Sequence, residues 1–181
     1  YELTTAPSPD GGYIGMVGCS GWQGQGLAGG AAMPQLVFAR DPRSWTRVRR
    51  EPFMLPGPDG AFDEGVVMPF YPITVGDEVY LFYYAKNRGH SWGQPTDDGN
   101  SVTTSSMGLA RMKRDRWVSF TPEQASGTVT TRLIGFASNE LRVHADAGGG
   151  ALRAELQDQF GKSVEGCTLA DCDPVTSDTM D

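Results

Sequence analysis

A pattern that occurs twice constrains this chain more than any other feature of it. Asp10-Gly-Gly-Tyr-Ile-Gly-Met-Val-Gly is echoed by Asp77-Glu-Val-Tyr-Leu-Phe-Tyr-Tyr. Downstream of each, Leu36-Val-Phe-Ala-Arg-Asp-Pro-Arg-Ser-Trp-Thr-Arg-Val finds its echo in Gly108-Leu-Ala-Arg-Met-Lys-Arg-Asp-Arg-Trp-Val-Ser-Phe. Self-similarity at long spacing marks a repeat architecture, in which each unit is too small to bury its apolar face alone and relies on a neighbour.

A unit of several short strands ending in a tryptophan strand reads as a propeller blade, and this chain holds about two. Glycine (24 residues) and proline (12 residues) are abundant without a triplet period, which suits short strands joined by tight turns. The expected class is all-β. Residues 1–122 read as propeller-like blades. After Pro122 the character changes, and residues 123–181 read as the start of a β-sandwich.

Along the first part, a strand from Tyr13 to Val17 precedes a glycine-rich loop, Leu36 to Ala39 resumes a strand, and Asp41-Pro42 turns into an outer strand at Trp45 to Val48. The second unit opens at Phe62-Asp-Glu-Gly-Val-Val-Met-Pro. Val79 to Tyr84 follows, and its run of aromatic and β-branched residues suits a strand buried on both faces. In the later part, Leu141, Val143 and Ala145 share a face, as do Leu152, Ala154 and Leu156. With Gly148 to Gly150 between them they predict a hairpin with one buried side.

The formal net charge is −7 and the basic residues, nearly all arginine, are scattered among acids. Nucleic-acid binding draws most of its affinity from neutralised phosphates. The short run Arg47, Arg49, Arg50 does not make the required stripe and reads as a solvated face, so no nucleic-acid partner is expected. No apolar stretch approaches the ~20 residues that span a bilayer, so no membrane partner is expected either. Tyr1-Glu-Leu-Thr-Thr lacks the basic and apolar regions of a signal peptide. A soluble chain is expected, with export to a secreted or periplasmic location left open.

Three cysteines and two histidines are too few for a disulfide scaffold, and their spacing forms no recognised zinc cluster. Neither metal nor cofactor is expected. Cys167 and Cys172, close together in a turn-rich segment, read either as a local disulfide or as two buried thiols.

Phe62-Asp-Glu-Gly through Tyr83-Tyr84, the Gly108-Leu-Ala-Arg and Arg116-Trp-Val-Ser-Phe strands and Leu141-Arg-Val-His-Ala-Asp-Ala together resemble the last blades of a five-bladed propeller glycosidase and its following β-sandwich. Glycoside hydrolase families 32 and 43 combine these modules. The resemblance implies a carbohydrate substrate, a furanoside or related sugar, hydrolysed by two carboxyl groups that flank the scissile bond.

Asp63 and Glu64 fit the place where an inner strand opens into the funnel, with Glu64 as the acid because of its longer reach. Neighbouring strand residues point to opposite faces, so one of the two would enter the funnel. Arg40-Asp41-Pro42 is identical to the family 32 triplet whose aspartate stabilises the transition state, and an Asp-Pro turn explains Asp41 equally. Two departures stand beside these matches. The first-blade motif carrying the nucleophile or base has no counterpart, and glycine rather than cysteine follows Glu64.

Lys86 to Asn100 forms a long polar loop, a length that usually carries function. Arg88, His90 and Trp92 within it are candidate sugar contacts, since guanidinium pairs with hydroxyls and an indole stacks on a sugar's apolar face. Tyr84 joins them as a candidate, with Tyr83 and Tyr84 on opposite faces and at least one in the core. His144 reads as a surface or packing residue. About two blades are less than half a ring, so open edges invite a second copy or a complementary chain. Two functions follow: a glycosidase, or a non-catalytic carbohydrate-binding or structural fragment that needs a partner.

Overall fold

The computed structural model describes residues 2–8, 11–22, 30–90 and 103–179, with the backbone alone for 21 and 22. The chain is all-β, with no helix among the described residues. It divides into two compact units, Tyr1–Arg114 and Asp115–Asp181.

The first unit opens with β1 (Leu3–Pro7), β2 (Tyr13–Trp22), β3 (Ala31–Asp41) and β4 (Ser44–Arg47), each antiparallel to the one before. Directly paired residues share a face, so Thr4, Met16 and Leu36 form one row of that face and Ala6, Ile14 and Phe38 the next. Thr4, Ile14, Met16 and Leu36 are buried. On the opposite face Trp45 covers Gly15, where any side chain would collide with Leu3, Val37 and the indole. The indole also tilts against Tyr13 at 6.4 Å and donates from Nε1 to Pro42 O at 2.8 Å. The tryptophan strand expected at Trp45 is thus held by a glycine opposite it.

The second repeat supplies β5 (Val66–Pro69), β6 (Ile73–Val75), β7 (Glu78–Lys86) and β8 (Ser105–Lys113). β5 and β6 lie end to end along one edge of β7, and β8 covers the other edge. β7 was expected to be buried on both faces. It alternates instead: Val79, Leu81, Tyr83 and Ala85 are buried, while Tyr80, Phe82 and Tyr84 stand on a more open face. An unbroken apolar run arises here from one buried face and one open aromatic face, which hydrophobicity alone does not separate. The echo of the tryptophan strand, 116–120, forms no strand.

One parallel step, Ala32 beside Val66, joins the repeats into a curled sheet. Ala32 N–H donates to Gly65 O at 3.1 Å. The curl carries Met68 over Gly18, whose missing side chain leaves the space that the thioether fills. Across β7 and β8 the same device recurs, with the Tyr83 ring lying over Gly108. Val67, Tyr83 and Ala85 form a buried cluster against which Met54 and Ala110 pack.

In the second unit β9 (Ala145–Asp146) pairs antiparallel with β10 (Asp178–Thr179), and single bridges join Leu152 to Val175 and Gln157 to Ser163. The hairpin predicted between 141–145 and 151–156 does not form. The glycine turn is present, with Gly150 N–H on Ala147 O at 2.9 Å, but both flanks pair with later residues. Alternation defines a hairpin only where a second layer buries one face, and Leu141 is 69% exposed.

The glycine at 108 gives a direct test. Gly108→Ala should destabilise the chain by about 1–3 kcal/mol through overpacking against Tyr83. In a Tyr83→Ala background the same change should cost less than half as much, since contacting sites are non-additive. Urea unfolding of the four variants measures this, and equal costs in both backgrounds would contradict the aromatic–glycine contact.

Candidate functional site

Four of the seven candidate residues lie on the two backbone segments that meet at Gly65: Asp63 and Glu64 just before it, and Arg88 and His90 on the segment that passes over it. The Gly65 N–H donates to Lys86 O at 2.9 Å, and a side chain at Gly65 would overlap the Arg88 carbonyl. The close passage of the Arg88 backbone therefore requires glycine here. Two residues on, His90 N–H donates to Gly30 O at 2.8 Å. The loop that begins at Arg88 is pinned at its base: Asn87 N–H donates to Thr104 O at 3.4 Å, and Asn87 Oδ1 accepts from Thr104 N–H at 2.8 Å. Arg88 and His90 are half-buried. Arg88 Nε is shielded from solvent and has no hydrogen-bond partner among the described residues. Trp92 lies outside the described residues.

Asp63 and Glu64 precede β5 in a bend rather than standing on the strand. Asp63 Oδ2 accepts the Tyr83 hydroxyl at 2.8 Å, while Oδ1 lies against Gly57, where a Cβ would displace it. Phe62 stacks on Tyr83 at 6.4 Å and 22°. Burial, reinforced by the hydrogen bond to the Asp63 carboxylate, pushes the Tyr83 phenol up to about 12. Glu64 Oε2 accepts Gly60 N–H at 2.7 Å, closing the turn in which Ala61 N–H meets Pro58 O at 2.9 Å. Both carboxylates thus brace the 57–65 loop.

Asp41 sits elsewhere. It ends β3 and takes Arg43 as partner in an exposed turn, with Arg43 Nε on Oδ1 at 2.9 Å and Arg43 N–H on the same oxygen at 2.9 Å. The side-chain bond from Arg43, seconded by the backbone one, holds the Asp41 carboxyl below the usual carboxylate range. Asp41 lies nine positions along β3 from Ala32, and Ala32 is bonded to Gly65. At the rise of an extended strand that is roughly 30 Å. Tyr84 projects from the face of β7 opposite Tyr83 and shares a 2.9 Å hydrogen bond with Ser105 Oγ. It does not join Asp63 on the Tyr83 face.

The sequence pointed to Asp63, Glu64, Arg88 and His90 separately. It gave no sign of Tyr83 as the partner of Asp63, twenty residues earlier, or of Gly65 as the contact between the two loops. His144 is exposed. Cys19, Cys167 and Cys172 are half-buried free thiols, with Cys172 Sγ accepting Ala154 N–H at 3.4 Å. Among the described residues no group of His, Cys, Asp and Glu is placed to hold a metal ion, and no helix is long and apolar enough to cross a membrane. Comparison with family models, with curated proteins and with solved structures gives no match for this chain.

The Tyr83–Asp63 bond predicts a pH signature. Folded, the phenol ionises only near 12. Unfolded, it ionises near 10. Its contribution to stability is therefore whole below about pH 10 and is lost as pH rises from there toward 12, because the unfolded chain releases its proton first. Tyr83→Phe should lower stability by about 1–3 kcal/mol at neutral pH, as expected for a lost hydrogen bond to a carboxylate. Urea melts from pH 8 to 12 should show a shallower alkaline decline in that variant than in the parent chain, and parallel curves would contradict the assignment.

Proposed function

We propose that this chain is a non-catalytic carbohydrate-binding module, made of propeller-like blades and the beginning of a β-sandwich, that holds its sugar beside Gly65. The observation that carries this reading is how the candidate acids are used. Asp41 accepts from Arg43, Asp63 from Tyr83 and Glu64 from Gly60, so each carboxylate braces its own loop. Asp41 also stands roughly 30 Å from Gly65 along β3, whereas glycosidase carboxyls work at about 5–9.5 Å. The Arg88 backbone passes over Gly65, and its guanidinium is of a type suited to paired hydroxyl oxygens. The strand succession β1 to β4, with β5/β6, β7 and β8 after it, supports the blade reading.

One observation favours a second reading, a glycosidase acting on a furanoside or related sugar. Asp63 and Glu64 occupy the loop that meets Arg88, and Glu64 is only half-buried. Glu64 would then be the acid, with Asp63 beside it as acceptor of the Tyr83 hydroxyl.

The two readings separate in one experiment. On a glycan array followed by calorimetry, the binding module retains a sugar unchanged, and Arg88→Ala and His90→Ala each weaken it tenfold or more. Release of reducing sugar from a chromogenic furanoside, lost in Glu64→Gln, would establish the glycosidase instead. Retention of no glycan and release of no sugar would overturn both.

A further inference from the structure

β7 and its neighbours carry an open apolar face that the proposed sugar site leaves unused. Register places Phe82 opposite Leu109, Tyr84 opposite Met107, Ile73 opposite Tyr80 and Val75 opposite Glu78. Phe70 N–H bonds Phe82 O at 2.8 Å, which adds Phe70 to the same face. These side chains are exposed although apolar: Met107 by 66%, Val75 by 59%, Ile73 by 49%, Leu109 by 48%, Phe70 by 42% and Phe82 by 39%. The curl of the sheet covers this face at its inner end, where Met68 meets Gly18.

We infer that this face is the seat of a two-fold dimer, in which a second copy of the chain packs the same face against it, sheet on sheet. The inference stands apart from the sugar reading and does not depend on it. Three observations select a second copy as the occupant. The first is area. At the quoted exposures the six side chains present on the order of 500 Å², so a pair of copies would remove about 1,000 Å² from water, where specific interfaces begin.

The second is charge. At one end of the face, Glu78 accepts the Tyr80 hydroxyl at 2.7 Å and pairs with Arg111 at 3.7 Å, and register sets Lys113 opposite Glu78, so the charged groups of this end lie at the rim beyond the apolar side chains. An apolar centre with a polar rim is the anatomy of such an interface. The third is shape. Two sheet faces pack about 10 Å apart with their strands within about 30°, and a two-fold axis requires a surface that matches itself. Phe82 on β7 with Leu109 and Met107 on β8, flanked by Ile73 on β6, give the face an apolar centre that can meet its own copy.

Sedimentation velocity on the whole chain between 1 and 100 μM in 0.15 M NaCl tests this. Twice the 19.5 kDa chain mass should appear at the upper concentrations, and raising salt to 0.5 M should not dissociate it, since the contact is apolar. Phe82→Asp with Leu109→Lys should remain at the chain mass at 100 μM, with unchanged circular dichroism. Hydrogen exchange of the parent chain at both concentrations is the second measurement, and it needs no variant: residues 105–111 should gain protection at least threefold on association. A monomer throughout, open-ended aggregates in place of a dimer, or protection confined to Asp115–Asp181 would each overturn the inference.

Discussion

β3 has both of its edges occupied, and the first unit is organised by that fact. Along one edge it pairs with β2 from Tyr13 to Trp22. Along the other, a succession of donors takes its carbonyls in turn: β4 over Val37 to Asp41, then Val48 N–H on Leu36 O at 3.4 Å, then Phe53 N–H on Pro34 O at 2.7 Å. Gln35, buried, reaches Arg50 O with its amide nitrogen. Ala32 closes the row by donating to Gly65 O. Buried backbone groups must find partners, and here satisfying them draws the proline-rich connection along the strand and delivers the second repeat to its end. Pro34 fits in the strand because its missing N–H removes a donor while its carbonyl still serves.

That delivery makes the candidate site. Once Gly65 is placed at Ala32, the backbone from Lys86 to Arg88 passes over it, and the two loops meet with no side chain between them. The acids that a sequence reader sees as chemistry are drawn into holding the loop. Asp63 accepts from Tyr83, whose ring in turn covers Gly108 and stacks on Phe62. One aromatic residue therefore ties β7, β8 and the 57–65 loop together, and a tyrosine hydroxyl shielded in a core needs such an acceptor.

The second unit is held differently. Its strands are two residues long, and its exposed apolar residues include Val129, Leu133, Ile134 and Phe136. Arginine provides much of the connection. Arg116 Nη2 donates to Ala145 O at 3.1 Å and Thr179 O at 2.8 Å and pairs with Asp178, joining both strand ends. Arg153 bonds Leu169 O at 3.1 Å and also Cys172 O. These contacts join residues up to 63 positions apart, so neither apolar periodicity nor turn chemistry announces them. This is why the predicted hairpin at 141–156 failed while the strand at Trp45 succeeded: Trp45 had Gly15 and Val37 to cover, whereas Leu141 stays exposed.

The amino-acid sequence by itself determined the all-β class, the outer strand at Trp45 and the identity of the polar residues near Gly65. These are local properties, written in alternation and turn residues. Only the tertiary structure decided that β7 buries one face rather than two, that Asp41 stands roughly 30 Å along β3 from Gly65, and that Asp63 belongs to Tyr83. Each of those depends on which distant segment occupies a strand edge or covers a glycine. Pairing of that kind is set by the whole sheet at once, since a carbonyl or an aromatic face specifies that it needs a partner and not which one.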